Sequence, residues 1–301
     1  MIARRASGCA AVALSVCLAA APAAGVTGSD RSDRSDLSDR AATGAVVVGQ
    51  NFESPGACPP STTALQLASG DGTDYTVRSA GVLTSFSTIM SGGFRGLVMR
   101  PAAAGHYSLV GATPLRLGTS LSTPTTVAVR IPVQSGDLLG IDLPAATNGC
   151  AVNTGNPADV VEVGTFATPT DFMNGVANPG QRINIAAVLE PDVDGDGYGD
   201  VSQDGCPALA TLQTPCPTPD TGVKHPPAKV VHHPLVRFKL TSTVPGSTYQ
   251  CSVDGRRFKT CKHRFEKPFA AGRHTVLARA VSPLGFTDAT PVKVRFRVEP
   301  R

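Results

Sequence analysis

An all-β protein is predicted from the sequence on three observations. Between about Ala45 and Glu190, and again from about Leu235 onward, short runs rich in Val, Leu, Ile and Thr are broken by Gly, Pro, Ser and Asp, at intervals of roughly ten residues. Within the runs apolar and polar residues alternate, as Val127, Val129 and Ile131 do against Ala128 and Arg130, which is the period of a half-buried strand. No segment holds a helical period. The expected architecture is a jelly-roll-like β-sandwich at 45–190 and a smaller β-module at 235–301, joined by an aspartate-rich loop and a proline-rich linker.

The elements in chain order carry this reading. Residues 1–23 open with Arg4 and Arg5, continue through the apolar "AAVALSVCLAAA" and finish on the A-x-A of Ala21, Pro22 and Ala23. That is the pattern of a secretory signal peptide, and the run is too short for a membrane span. Residues 24–44, with "GSDRSDRSDLSDRAATG", hold almost nothing apolar and read as a disordered spacer. In the large module "GAVVVGQNF", "TALQLAS", "DYTVRSAGVLTSFSTIM", "FRGLVMRP", "HYSLVG", "TTVAVRIPV", "DLLGIDLP", "VVEVGTF" and "RINIAAVLE" are the expected strands. Residues 208–234 are dense in proline and poor in large apolar groups, as a semi-rigid linker would be. The last module alternates again, with Val236, Phe238 and Leu240 against Arg237 and Lys239.

Export implies an oxidising compartment, and the chain without its signal keeps Cys58, Cys150, Cys206, Cys216, Cys251 and Cys261. Several connectivities are open to six cysteines; spacing favours Cys58 to Cys150, Cys206 to Cys216 and Cys251 to Cys261. Charge divides the chain in two. The whole carries a formal +4, yet Gly25 to Thr221 has nine basic against 19 acidic residues and Gly222 to Arg301 has 16 against four. Two modules of different surface chemistry are implied.

The stretch "PDVDGDGYGDVSQDGCP", Pro191 to Pro207, sets an aspartate at alternate positions. With Asp192 as position one, Asp194 is three, Asp196 five, Gly197 six, the Tyr198 carbonyl seven and Asp200 nine, the ligand spacing of an EF-hand type calcium loop. Calcium takes six to eight hard oxygens, and glycine at six permits the sharp turn. Position 12 is Gln203 instead of the bidentate Glu, with Asp204 next, and no amphipathic helix flanks the loop. Together with Cys206 and Pro207 the stretch resembles a thrombospondin type 3 repeat. That resemblance implies Asp192, Asp194, Asp196, Asp200 and Asp204 as calcium ligands, without helices and with disulfide ties.

The C-terminal "STVPGSTYQCSVDGRRFKTC" and "AGRHTVLARAVSPLGFTDATP" resemble small immunoglobulin-like or fibronectin type III-like domains of secreted bacterial proteins. The large module, ending in "AAVLEPDVDGDGYGD", is similar to another group of such secreted chains. These resemblances imply architecture and an extracellular setting, and no activity.

Catalytic patterns are scarce. The chain has no G-x-S-x-G, no H-E-x-x-H and no phosphate-binding glycine loop. His106 is the sole histidine before the linker, so a Ser/His/Asp triad in the large module would have to use it. Asp71 with Asp74 and Asp137 with Asp142 sit in turn contexts, and His225, His232 and His233 lack a carboxylate or thiolate companion. The absence of Trp weighs against a sugar-stacking platform. Arg256, Arg257, Lys259, Lys262 and Arg264 crowd one hairpin region, a basic surface suited to anionic cell-wall polymer and, less well, to nucleic acid. The expected function is therefore a secreted, non-enzymatic, calcium-binding modular protein for surface binding or adhesion. The alternative is a secreted hydrolase or its accessory module.

Overall fold

The computed structural model describes residues 44–168 and 170–299. The expected signal peptide at 1–23, and all but the last residue of the spacer, lie outside the described residues. The described residues are all-β, as their alternation predicts, apart from one 3-10 turn at Ala103–Gly105.

One layer of the large sandwich is an antiparallel sheet in the order Val46–Gln50, Ile185–Glu190, Gly81–Thr88, Thr125–Val133. Alternation decides its buried side: Val127, Ile131 and Val133 turn inward, while Thr126, Ala128 and Arg130 face solvent. The facing layer closes on itself. Ser91–Pro101 pairs with both Tyr107–Ala112 and Leu138–Leu143, and the ladder continues through Thr62–Ala68, Val160–Thr168 and Asp171–Pro179 back to Tyr107–Ala112. Such a circuit has an inner face. Leu65, Leu97, Met99 and Phe172 fill it, with the Tyr107 and Phe166 rings edge-on to Phe172. Residues of opposite parity on the same strands, among them Ala64, Val98, Ile141 and Val161, enter the main core against Leu83, Phe86 and Ile185. The Asp171–Pro179 strand was not expected, since Gly175, Asn178 and Pro179 are poor strand formers. Its hairpin partner Val160–Thr168 holds it in place.

The expected strand "RINIAAVLE" is interrupted at Asn184, which is fully buried. Its Nδ2 lies 2.6–2.8 Å from the carbonyls of Phe52, Ile89 and Gly149, and its Oδ1 accepts from the Phe52 N–H. A polar side chain thus satisfies backbone groups left unpaired where the strand changes partners.

The small module is also a two-layer sandwich. A three-stranded sheet (Thr221–Lys224, Leu235–Ser242, Arg264–Pro268) faces a five-stranded one ordered Val230–Val231, Val292–Val298, Gly272–Val281, Thr248–Val253, Lys259–Cys261. Phe238, Phe265, Phe269, Val276 and Phe296 make its core, with Phe238 and Phe265 stacked at 4.5 Å. Asp254 and Gly255 both take the left-handed conformation, and the Arg256 N–H returns to the Val253 carbonyl, a tight turn of the kind Asp-Gly favours.

The linker expected at 208–234 needs correction. Thr221–Lys224 pairs antiparallel with Leu235–Ser242, and Val230–Val231 runs parallel to Val292–Val298. The prolines at 226, 227 and 234 fall between these segments, where no ladder N–H is missed, so proline density concealed two short strands. The small sandwich begins at about Thr221. All three expected disulfides form: Cys58–Cys150, Cys206–Cys216 and Cys251–Cys261. The first spans 92 residues, a closure worth about 4–5 kcal/mol in the chain-entropy picture. Among the described residues no helix is long and apolar enough to cross a membrane.

Candidate metal centre

The aspartate stretch leaves the sandwich directly from the end of the Ile185–Glu190 strand, where Pro191 cannot extend the ladder. The Asp200 N–H closes the base of a loop on the Pro191 carbonyl at 2.9 Å. Gly195 and Gly197 have φ near +75° and +82°, a conformation costly for residues with a Cβ, and the chain curls there.

The curl turns the carboxylates toward one another. One oxygen from each of Asp192, Asp194 and Asp196 lies within 4.8 Å of the others. Asp200 and Asp204 are each only 6% exposed; the Asp204 charge acts on Asp194, and the charges of Asp194 and Asp204 act on Asp200. Backbone N–H groups fix the carboxylates. Asp192 accepts from Asp196 and Gly197, Asp196 from Tyr198 and the Gln213 side chain, Asp194 from Asp196, Asp200 from Val193, and Asp204 from Cys206.

Asp194 Oδ2, Asp200 Oδ1 and Asp204 Oδ2 are buried and make no hydrogen bond; they are three of the five such side-chain atoms among the described residues. Orphaned buried carboxylate oxygens are costly, and their concentration in one loop calls for a partner. Burial, then repulsion from Asp192, Asp194 and Asp204, pushes Asp200 up to about 6. Burial and the neighbouring Asp196 likewise raise Asp194. Hard anionic oxygens with no protein donor are what a divalent cation of the calcium type requires, so the residues present fit such an ion.

Sequence reading missed what docks this loop on the sandwich. Glu190, 3% exposed, accepts from the Thr84 hydroxyl at 3.0 Å and from the Val201 and Ser202 N–H groups at 3.0 and 2.8 Å. Burial alone would raise its carboxyl, but bonds from Ser202, Thr84 and Val201 together hold it below its ordinary value. Gly199 packs so closely that a Cβ there would meet Glu190 Oε2 at 2.4 Å. Gln203, the departure at position 12, donates to the Val129 carbonyl at 2.7 Å and accepts from the Gly199 N–H, serving as a tie to the sandwich. The ring of Tyr198, whose carbonyl the spacing assigns to the ion, lies under the Arg130 guanidinium at 4.0 Å. The only signal available in the sequence was a glutamate ending an apolar strand.

His106 Nδ1 sits 3.2 Å from Asp171 at the surface. Asp71 and Asp159 hold Arg182, Asp74 pairs with Arg78, Asp137 receives a two-pronged contact from Arg100, and Asp142 pairs with Arg95. Arginine partners make these carboxylates structural. A cavity of about 330 Å³ beside the Cys58–Cys150 bridge is lined by apolar groups such as Ile141, Leu143 and Val161, away from His106. Among the described residues His232 and His233 hydrogen-bond to the backbone carbonyls of Glu299 and Leu235. The basic hairpin is divided: Lys259 lies on the edge of the five-stranded sheet, whereas Arg264 stands opposite Lys239 on the three-stranded one.

No family model and no curated protein matches the chain. Among solved structures, a β-glucuronidase of Faecalibacterium prausnitzii aligns at 11% identity and a TM-score of 0.19, over 79% of this chain and 37% of that one. Red sea bream transglutaminase aligns at 10% and 0.20, over 88% and 33%, and the FMN-binding β-glucuronidase of F. prausnitzii L2-6 at 10% and 0.18, over 84% and 39%. The chain therefore spans little more than a third of these proteins, and likeness at this level carries no argument about activity.

Proposed function

We propose that this chain is an exported, non-enzymatic, modular binding protein in which a calcium ion stiffens the loop at the end of the large sandwich. The observation that carries the reading is the set of three buried, unpartnered oxygens on Asp194, Asp200 and Asp204. Asp192, Asp194, Asp196, Asp200 and Asp204, with the Tyr198 carbonyl, would hold the ion. Bound there, calcium supplies positive charge shared among carboxylates that otherwise repel. Backbone N–H groups already hold each carboxylate, so the ion locks a preset curl. The Cys206–Cys216 bridge limits how far the loop can open. The basic C-terminal sandwich would hold an anionic surface polymer.

Calorimetry and limited proteolysis test this. Calcium affinity should be on the order of 0.1 to 1 mM, as in other extracellular modules. Asp194→Asn combined with Asp204→Asn should abolish binding heat while the large sandwich stays folded. Absence of binding heat in the wild type, or identical cleavage near Gly195 with and without millimolar calcium, would reduce the stretch to an acidic turn.

A further inference from the structure

We infer that the outward face of the five-stranded sheet in the small sandwich, around Arg273, Arg295, Arg297 and Lys229, binds a linear phosphodiester polymer that carries no bases. The inference rests on the reading of this sandwich as a binding module and names its ligand and its face.

The strand Val292–Val298 buries Val294, Phe296 and Val298 and presents Lys293, Arg295 and Arg297 outward. Its antiparallel neighbour places Arg273 directly opposite Arg297 and Thr275 opposite Arg295. Lys229 lies beside them, its carbonyl accepting from the Arg297 N–H. Lys229, Arg273, Thr275, Arg295 and Arg297 line one open concavity.

Like charges directly opposed across a ladder are destabilising, so this pattern does not serve the fold. Edge protection accounts for only part of it: Val230–Val231 pairs with Arg297 and Val298 alone, so Lys293 and Arg295 stand beside an open edge, whereas Arg273 lies on a strand paired on both sides. Local acids neutralise only Arg297 among its cations, through Glu299. The four acidic residues after Thr221 are engaged: Asp254 with His274 and the Thr275 N–H, Glu266 with Arg237, Asp288 with Thr221 and Thr290, and Glu299 with Arg297. Among the described residues Lys229, Arg273, Lys293 and Arg295 form no ion pair.

Spacing selects the ligand. Alternate residues of a strand are about 6.6–6.8 Å apart and are joined by six backbone bonds. The repeat of a glycerol phosphate chain is also six bonds, so successive phosphates on an extended chain keep step with Arg295 and Arg297. Guanidinium groups match phosphate oxygens in a two-pronged contact. A nucleic acid strand has a similar phosphate period but needs platforms for its bases. Among the described residues Phe296 is buried in the core and the His274 ring packs against it and Phe269, so neither ring of the concavity is free to stack a base; Phe258, further along this sheet face, is occupied by the Arg279 guanidinium.

The test measures binding of the full chain to poly(glycerol phosphate) and to oligo(dT) of equal charge, by fluorescence anisotropy at several salt concentrations. The double variant Arg273→Ser, Arg295→Ser should bind poly(glycerol phosphate) at least about tenfold more weakly, with the slope of log affinity against log salt smaller by about 1.4. The control Lys239→Ser, Lys267→Ser loses the same charge from the other sheet and should lose less than about threefold. Thermal melts check that both variants fold; these side chains are exposed, so both should. Equal loss in the two variants overturns the assigned face and leaves the binding-module reading standing. Tighter binding of oligo(dT) than of the base-free polymer overturns the ligand assignment. No binding of either polymer by the folded wild type overturns this inference and the binding-module reading together, while calcium binding is tested separately.

Discussion

The aspartate loop and the cationic sheet face both crowd like charges, and they handle them in opposite ways. In the loop, Asp200 and Asp204 are withdrawn from water and every carboxylate takes at least one N–H donor, which leaves three oxygens facing nothing. On the sheet, Arg273, Arg295 and Arg297 stay in solvent and need no inward partner. The repulsion is comparable in kind but not in cost. Water and salt screen exposed guanidinium groups, whereas buried carboxylates must find a counter-charge or a proton. The loop should therefore respond strongly to a bound ion in its stability, and the sheet face should respond to its partner with almost no change in fold.

The largest break of this comparison comes from the group that anchors the loop irrespective of any ion. Glu190→Ala leaves the Thr84 hydroxyl and two loop N–H groups unpaired and should cost about 2–4 kcal/mol. Chemical denaturation reads the loss, with early cleavage near Val201. A wild-type-like result would mean that the loop is not docked through Glu190. Next in size is calcium itself. At 10 mM ion, with a Kd near 0.5 mM, the native chain should gain about 1.8 kcal/mol. The gain should vanish in Asp194→Asn, Asp204→Asn, and its survival there would remove these ligands.

A smaller effect lies in the small sandwich at His274. The hydrogen bond to Asp254 raises the imidazole above its ordinary 6.5, with burial opposing. Asp254 is held below its ordinary 3.8; burial opposes this, while the Thr275 N–H and His274 bring it about. A raised histidine gives stability that is fully present below about pH 6.5 and is lost as pH rises through the folded value. A lowered aspartate gives stability that is present above pH 3.8 and is lost as pH falls through its folded value. The pair should thus stabilise most between these limits. Raising pH to 8 should weaken protection of the Thr275 amide by up to about 1 kcal/mol in hydrogen exchange. His274→Gln should flatten that dependence, and an unchanged slope would assign it elsewhere. The smallest effect sharpens the comparison most. Arg273→Ser should change stability by less than about 0.5 kcal/mol, in the stabilising direction, and a large loss would show that the cationic face belongs to the fold.

Much of this could be read from residue order. "TTVAVRIPV" and "VKVRFRV" alternate so regularly that strand, buried side and exposed side follow from period alone. The aspartate spacing with Gly197 specified a curled acidic loop, because local geometry depends on neighbours along the chain. The disulfide pairs followed the modules. Contacts made across sequence distance were not legible. Asp171–Pro179 is a strand only because Val160–Thr168 and Tyr107–Ala112 pair with it, and closure of that layer depends on Ser91–Pro101 finding two partners. Thr221–Lys224 hid among prolines until Leu235–Ser242 gave it a ladder. Glu190 and Gln203 became anchors only once the loop folded back on Thr84 and Val129. Arg273 met Arg297 through register, 24 residues apart in sequence. Alternation and turn chemistry are local properties and so are written in sequence, whereas pairing, register and the burial of particular oxygens depend on which distant surfaces meet, and that is decided by the packed whole.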